Sequence, residues 1–410
     1  MKLNLAQGIL VAVLIACSGE GNQQPLPAAG EPSLPTVDSQ GAALVAPADL
    51  HPVLVYLKQD RTPDTTLVAY DLEDKRQMLS VPLGRGGSPY TVSAGGRAIA
   101  VDTGLAINVY ALDGAPPRQL SLANGTNEYF NYLALSRDGK TLAVVRDWSE
   151  SALSTPPAGQ SAQYRPRQTL FFFDVAFDRE LKRIESTQPE FAGFDGSFGP
   201  LQWLPDGSGV FMWGATQSER PGSYATVLLD GTVTRHDLKG AAYVSHDSSR
   251  AAEGIGSLGC LFYSGHEVTI RDLRTGVVLA GVQTDTRALT GVGWSPDDRE
   301  FLFESRPWSA DLTCEGDRWW TAEPQLFVFN ADTGALQSAG SQESVYRRWY
   351  GGDAVFLDCN GTLVPPGRHP FGNPVSVSCR GAGQSPTGVL QVGAHVVDSG
   401  TRFHIIGMIE

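Results

Sequence analysis

The sequence predicts an all-β fold assembled from repeated four-stranded sheets, and three observations predict it. A block made of an apolar run, a tight Asp/Gly turn and a second apolar run recurs. It reads LALSRDGKTLAVVRDW at 133–148, LQWLPDGSGVFMWGA at 201–215 and VGWSPDDREFLFESR at 292–306. Each block is followed by two further short β-branched or aromatic runs. Gly (46) and Pro (26) are frequent enough to demand many turns, and no segment carries a helical period of useful length.

The turn explains the block. An Asp side chain bonds its own backbone two residues on, and Gly or a small polar residue accepts the positive φ of a tight hairpin. Anchored on that turn, the copies fall at Gly95, Asp138, Asp206, Asp247, Asp297, Gly352 and Ser399, with steps of 43, 68, 41, 50, 55 and 47. The third run of each copy is TLVAYDL (66–72), AINVYAL (106–112), TLFFFDV (169–175), TVLLD (226–230), EVTIRDL (267–273) or QLFVFNA (325–331). A second turn and a fourth run follow, as in VTRHDL (233–238). A period in the forties with four strands per copy is that of a β-propeller blade. Three places before the anchor stand Val92, Leu135, Trp203, Val244, Trp294, Trp349 and Val396, all apolar and expected to wedge between adjacent blades. The first and last segments are each half a blade. The expectation is therefore seven blades, with six or eight as alternatives. C-terminal strands at about 390–409 would complete the sheet begun by 53–83 and hide its edges.

The Ser-x-Asp-Gly core, as in Ser136-Arg137-Asp138-Gly139 and Ser295-Pro296-Asp297-Asp298, resembles the TolB-like (WD40-like) β-propeller repeat over essentially 52–410. The resemblance implies the fold and no particular activity. TolB carries an extra N-terminal α/β domain where this chain has a short tether, so a Tol–Pal role does not transfer.

The N-terminus speaks for export. A Lys precedes the apolar stretch Gly8–Ala16, too short to span a bilayer comfortably. It ends in Leu14-Ile15-Ala16-Cys17, which resembles the lipobox of bacterial lipoproteins. The resemblance implies a signal peptide at 1–16 and acylation of Cys17, an anchor to the membrane. Ordinary cleavage and an uncleaved anchor are the alternatives. Ser18 after the Cys points to the outer membrane, on its periplasmic side or at the cell surface. Residues 17–50, rich in Gly, Pro, Ala, Ser and Gln, read as a disordered tether spanning about 30 Å. The propeller is assigned to 51–410. In an oxidising compartment Cys260, Cys314, Cys359 and Cys379 suggest two disulfides. Of three possible connectivities, Cys359–Cys379 and Cys260–Cys314 are preferred; free thiols are the alternative.

A net charge of −13 without a basic run excludes a nucleic-acid partner. No GxSxG, HExxH, EF-hand or P-loop motif is present, so no catalytic residue, metal or cofactor is assigned. The turns joining the first to the second and the third to the fourth strand of each blade are tight. The loops joining second to third strands are long, as at Asp147–Gln168, Gly214–Ala225, Gly256–Glu267, Glu304–Gln325 and Asp358–Thr387. Long loops on a rigid scaffold are where binding concentrates. Trp148, Tyr164, Tyr263, Trp308, Trp319 and Trp320 lie on them and form a candidate binding face for a protein, peptide or glycan, unless they pack their own loops down. The expected function is a membrane-anchored binding or scaffolding module. The alternative is a propeller hydrolase or lyase with its site at the central channel.

Overall fold

The computed structural model describes residues 52–59, 64–85, 91–104, 106–123, 128–148, 167–191, 198–214, 223–239, 241–255, 267–283, 287–307, 325–350, 356–357, 363–364, 375–378, 388–392, 395–400 and 402–409. All belong to one compact unit, Leu44–Glu410. The fold is propeller-like and nearly all β, and the described strands form seven antiparallel sheets.

The chain opens with β1 (Val53–Gln59), β2 (Asp64–Asp71) and β3 (Arg76–Arg85) of the first sheet. The second holds β4 (Val92–Gly95), β5 (Ala98–Asp102), β6 (Ala106–Ala111) and β7 (Arg118–Ala123). The third holds β8 (Glu128–Leu135), β9 (Thr141–Trp148), β10 (Arg167–Asp174) and β11 (Arg179–Glu185). The fourth holds β12 (Leu201–Trp203), β13 (Gly209–Gly214), β14 (Ser223–Leu228) and β15 (Val233–His236). The fifth holds β16 (Ala241–Val244), β17 (Arg250–Ile255), β18 (Glu267–Asp272) and β19 (Val278–Gln283). The sixth holds β20 (Arg287–Trp294), β21 (Glu300–Pro307), β22 (Gln325–Asn330) and β23 (Leu336–Ser338). After α1 (Gln342–Tyr350) come β24 (Phe356–Leu357), β25 (Leu363–Val364), β26 (Val375–Ser378), β27 (Gly388–Val392), β28 (His395–Gly400) and β29 (Arg402–Ile409). The seventh sheet runs β25-β24-β27-β28, and the first is completed as β26-β29-β1-β2-β3.

The apolar pattern follows strand position. Middle strands such as β9 and β10 are buried on both faces, with Leu142 to Val145 and Leu170 to Phe172 fully covered, because a neighbouring sheet lies on either side. Outer strands such as β11, β19 and β23 are mostly exposed; β11 is polar and β23 short, whereas β19 leaves the apolar Val278 and Leu279 exposed. From the first sheet to the sixth, each joint between consecutive sheets is an apolar cluster. Ile107, Leu122, Leu142 and Phe171 join the second and third sheets. Phe172, Trp203, Val210 and Met212 join the third and fourth. Phe211, Tyr224, Val244 and Ala251 join the fourth and fifth. Tyr243, Ile270, Trp294 and Phe301 join the fifth and sixth.

The Ser-x-Asp turn is built as its chemistry predicts. Ser136, Ser245 and Ser295 donate to Asp138, Asp247 and Asp297 at 2.7, 2.6 and 2.6 Å. The same hydroxyls accept the amides of Thr141, Arg250 and Glu300. The outer turns are capped alike by Asp71, Asp113, Asp174, Asp230, Asp272 and Asn330, each accepting backbone amides two or three residues on.

The wedge positions Val92, Leu135, Trp203, Val244 and Trp294 are all buried. The Trp203 indole donates to the carbonyl of Ala134 in the third sheet, and the Trp294 indole to that of Tyr243 in the fifth, both at 2.7 Å. Two wedges differ from expectation. Trp349 sits on α1, not at a strand end, where its indole and the Arg348 guanidinium hold Glu300. The segment 342–350 is thus helical despite lacking an obvious sequence period; its Val345 and Tyr346 cover Leu302 and Val328 of the sixth sheet. Val396 is 50% exposed, because β28 does not form a hairpin with β29: the two strands lie in different sheets.

The termini do share a sheet. β1 pairs antiparallel with β29, Leu54 opposite Met408 and Gln59 opposite Arg402. Of the stretch 390–409 expected to complete that sheet, only 402–409 does so, joined by β26; 395–400 belongs to the seventh sheet. β28 meets the first sheet through Asp398, which accepts from the Tyr56 hydroxyl and the Lys58 ammonium at 2.8 Å each. Burial, then the Asp398 carboxylate, push the Tyr56 hydroxyl far above its usual range, so it stays a donor. His395 and the Tyr70 hydroxyl meet at 2.8 Å beside it.

Candidate functional site

The two ends of the sheets differ. At one end the inner turns bond to one another. The Asp298 carboxylate takes the backbone amides of His246 and Asp247 and the His246 ring, at 2.7 to 2.8 Å. Gln202 donates to the Ser245 carbonyl at 2.8 Å, and the Gly95–Gly96 turn lies directly on the Ser136–Gly139 turn. Asp298 holds φ +56°, a conformation that disfavours a side chain, and its three bonds to the neighbouring turn account for an Asp there.

At the other end, where β9 runs toward the long loop, the third sheet presents a polar group. Register sets Tyr129, Asp147 and Gln168 side by side on β8, β9 and β10. They share the face that carries Ala143, Val145 and Leu170 into the joint with the fourth sheet. Asp147 is 5% exposed. Its Oδ2 accepts from Asn131 at 3.3 Å, and its Oδ1 is buried with no hydrogen-bond partner among the described residues. Asn131 is the extra residue of a bulge in β8, between Phe130 and Tyr132, which re-aims its side chain. Gln168 turns its own carbonyl oxygen to the Phe198 amide. Burial raises the Asp147 carboxyl to about 6, and hydrogen-bonding groups of Tyr129, Gln168 and Asn131 offset only part of that. A carboxyl so placed can hold a cation, or keep a proton and donate it.

On the opposite face of the same strands stand Arg146 and Trp148. Arg146 pairs with Glu128 at 3.2 Å and lies 4.5 Å over the Phe171 ring. Trp148 is half-buried at the end of β9, opposite Glu128 and Arg167 in register. Of the six aromatics expected on the binding face, Trp148 alone falls among the described residues. Tyr164, Tyr263, Trp308, Trp319 and Trp320 lie outside them, as do Cys17, Cys260, Cys314, Cys359, Cys379 and the signal and tether segments. Asp147, Asn131, Tyr129 and Gln168 were not singled out by sequence reasoning. The available signal was the buried-face alternation Ala143, Val145, Asp147, which puts a carboxylate where an apolar residue belongs. Among the described residues no group of three or more His, Cys, Asp or Glu could hold a metal ion.

No family model matches the sequence, and no curated protein matches it. Solved structures with a similar fold include TolB from Acinetobacter baumannii, 15% identical, with 71% of this chain and 64% of that chain covered and a TM-score of 0.37. An oligogalacturonate lyase in complex with manganese is 13% identical, with 67% and 70% covered and a TM-score of 0.41. The β-propeller domain of Cps50 (Swd1) from Myceliophteria thermophila is 10% identical, with 63% and 88% covered and a TM-score of 0.33. The likeness is one of fold, and the chain spans under two thirds of the TolB structure it resembles.

Proposed function

We propose that the protein is an exported lipoprotein, acylated at Cys17, whose seven-bladed propeller binds a protein, peptide or glycan on the face where the long loops arise. Seven blades closed by β1 and β29 are supported by the apolar joints between consecutive sheets. These continue through α1 after the sixth sheet and return from the seventh to the first through Leu390, Val392, Leu54 and Phe403. The observation that carries the choice of face is the bonding of inner turns to one another at the opposite end. Groups engaged there in holding neighbouring turns are not offered to a ligand, whereas the loop-rich end presents Trp148 half-buried and Tyr129 47% exposed. The anchor is tested by fractionation: wild type is expected with membranes and Cys17→Ala in the soluble fraction, and membrane retention of the variant would refute acylation. Binding is tested by capture from membranes with the acylated chain. Trp148→Ala is expected to lose the captured partner while unfolding normally.

A second reading, a hydrolase or lyase, rests on Asp147, a carboxyl poised near 6 as general acids are. Turnover of an oligosaccharide or peptide that vanishes in Asp147→Asn would favour it over binding alone.

A further inference from the structure

Among the described residues, the large apolar side chains left exposed gather toward one end of the sheets. Phe177 and Leu181 of the third sheet, Val277 and Val278 of the fifth, Leu336 of the sixth and Val396 of the seventh are exposed. Each stands in or just after the turn from the third to the fourth strand of its sheet, β10–β11, β18–β19, β22–β23 or β27–β28. Tyr129, at the loop-rich end, is the exception. Phe177 is the most exposed, at 76%. It stands three residues past the capping Asp174, where the first, fifth and sixth sheets carry the polar Asp74, Thr275 and Thr333. The turn is pinned on both sides of it. Arg118 donates to the carbonyls of Val175 and Ala176 at 3.0 and 2.6 Å, and Asp178 accepts the Ser121 amide at 2.7 Å. The ring thus projects into water from a fixed turn, a standing cost while nothing covers it. The chain enters the first sheet at the same end: the Pro52 carbonyl accepts the Leu72 amide at 3.1 Å, beside the β2–β3 turn.

We propose that these outer turns rest on the phospholipid bilayer, with the Phe177 ring seated at the boundary between headgroups and acyl chains. This rests on the lipoprotein reading above and adds the orientation of the propeller. The occupant follows from the chain that leads to Pro52. Residues 17–51 join Pro52 to Cys17, whose acyl chains lie in the bilayer, and their composition reads as a tether spanning about 30 Å. The anchor keeps the Pro52 end within reach of the lipid surface, so docking is in effect intramolecular and needs few apolar contacts. Apolar side chains on an otherwise polar surface enter the headgroup boundary with an affinity that grows with the area they bury. A second copy on this face would instead bring together two chains of −13 each. The loop-rich end then faces away from the membrane, open to the partner.

The test uses the full-length acylated protein reconstituted in phosphatidylcholine vesicles, with or without bromine on the lipid acyl chains. Phe177→Trp places an indole in the outer turn, Tyr129→Trp places one at the loop-rich end, and wild-type emission is subtracted from each. Both sites are exposed, so both variants are expected to keep the wild-type urea midpoint. The added emission of Phe177→Trp is expected at shorter wavelength than that of Tyr129→Trp. It is expected to lose most of its intensity in brominated vesicles and to resist aqueous iodide, while Tyr129→Trp shows the reverse. An indole at 177 as open to iodide as the one at 129, one that bromination leaves unchanged, or quenching by bromine at 129 in place of 177 overturns the inference and leaves the anchor intact. A chain with Cys17 unmodified and soluble in cell fractions would refute the lipoprotein reading, and the inference with it.

Discussion

The indole nitrogen of Trp203 stands 2.7 Å from the carbonyl oxygen of Ala134, and so joins the first strand of the fourth sheet to the first strand of the third. Trp294 does the same to Tyr243 two sheets further on. Each ring fills the joint, and each polar edge donates to a backbone oxygen of the neighbouring sheet. Trp203→Phe keeps most of the volume and removes the donor, and is expected to cost about 1–3 kcal/mol in urea unfolding. Trp203→Ala also empties the joint, and is expected to cost about 3–5 kcal/mol.

Gly95 tests the turn-on-turn contact. A Cβ at this position would stand inside van der Waals contact with the Ser136 carbonyl oxygen, which is backbone and cannot swing aside. Gly95→Ala is therefore expected to destabilise by more than about 2 kcal/mol, although the residue merely ends the short strand β4. A melting temperature equal to wild type would show that the second and third sheets can separate at that end.

Asp398 tests the joint between the seventh and first sheets. It is the shared acceptor of Tyr56 and Lys58, and the Lys58 and Asp398 side chains are 14% and 8% exposed. Removing one partner of a buried pair costs about 3 kcal/mol or more. Asp398→Ala is expected to lower the urea midpoint by a matching amount and to speed limited proteolysis within 390–409.

Two buried groups give stability profiles of opposite sign. Burial, then Arg402, lower the His404 ring to about 4, so the unfolded chain binds its proton first. Stability from this group is present above pH 6.5 and is lost as pH falls toward 4, by roughly 3 kcal/mol. His404→Leu is expected to remove that slope. Asp147 is raised to about 6, so its favourable contribution is present below the ordinary carboxyl range and lost as pH rises through 6. Asp147→Asn is expected to be more stable than wild type at pH 8, by up to roughly 3 kcal/mol, and equal to it near pH 3. A variant less stable at pH 8 would make Asp147 a structural group. Urea melts across pH 3–8 measure both.

The sequence by itself determined the repeat, the blade-like order of strands and the chemistry of the turns. These rest on local rules: an Asp caps its own turn, a Gly or small polar residue takes positive φ, and β-branched runs pair with the next run along the chain. It also marked five of the buried wedges, because apolar residues at a fixed distance from a turn must enter the same joint. What only the tertiary structure decided depends on contacts between distant segments. The helix at 342–350 is held by Glu300 of the sixth sheet. The assignment of 395–400 to the seventh sheet and 402–409 to the first follows from which neighbours each strand can bury against. Asp147 became a candidate only when a bulge in β8 and the register of β10 brought Asn131 and Gln168 around it. A solvation cost is set by everything packed against a group, and no stretch of sequence records that.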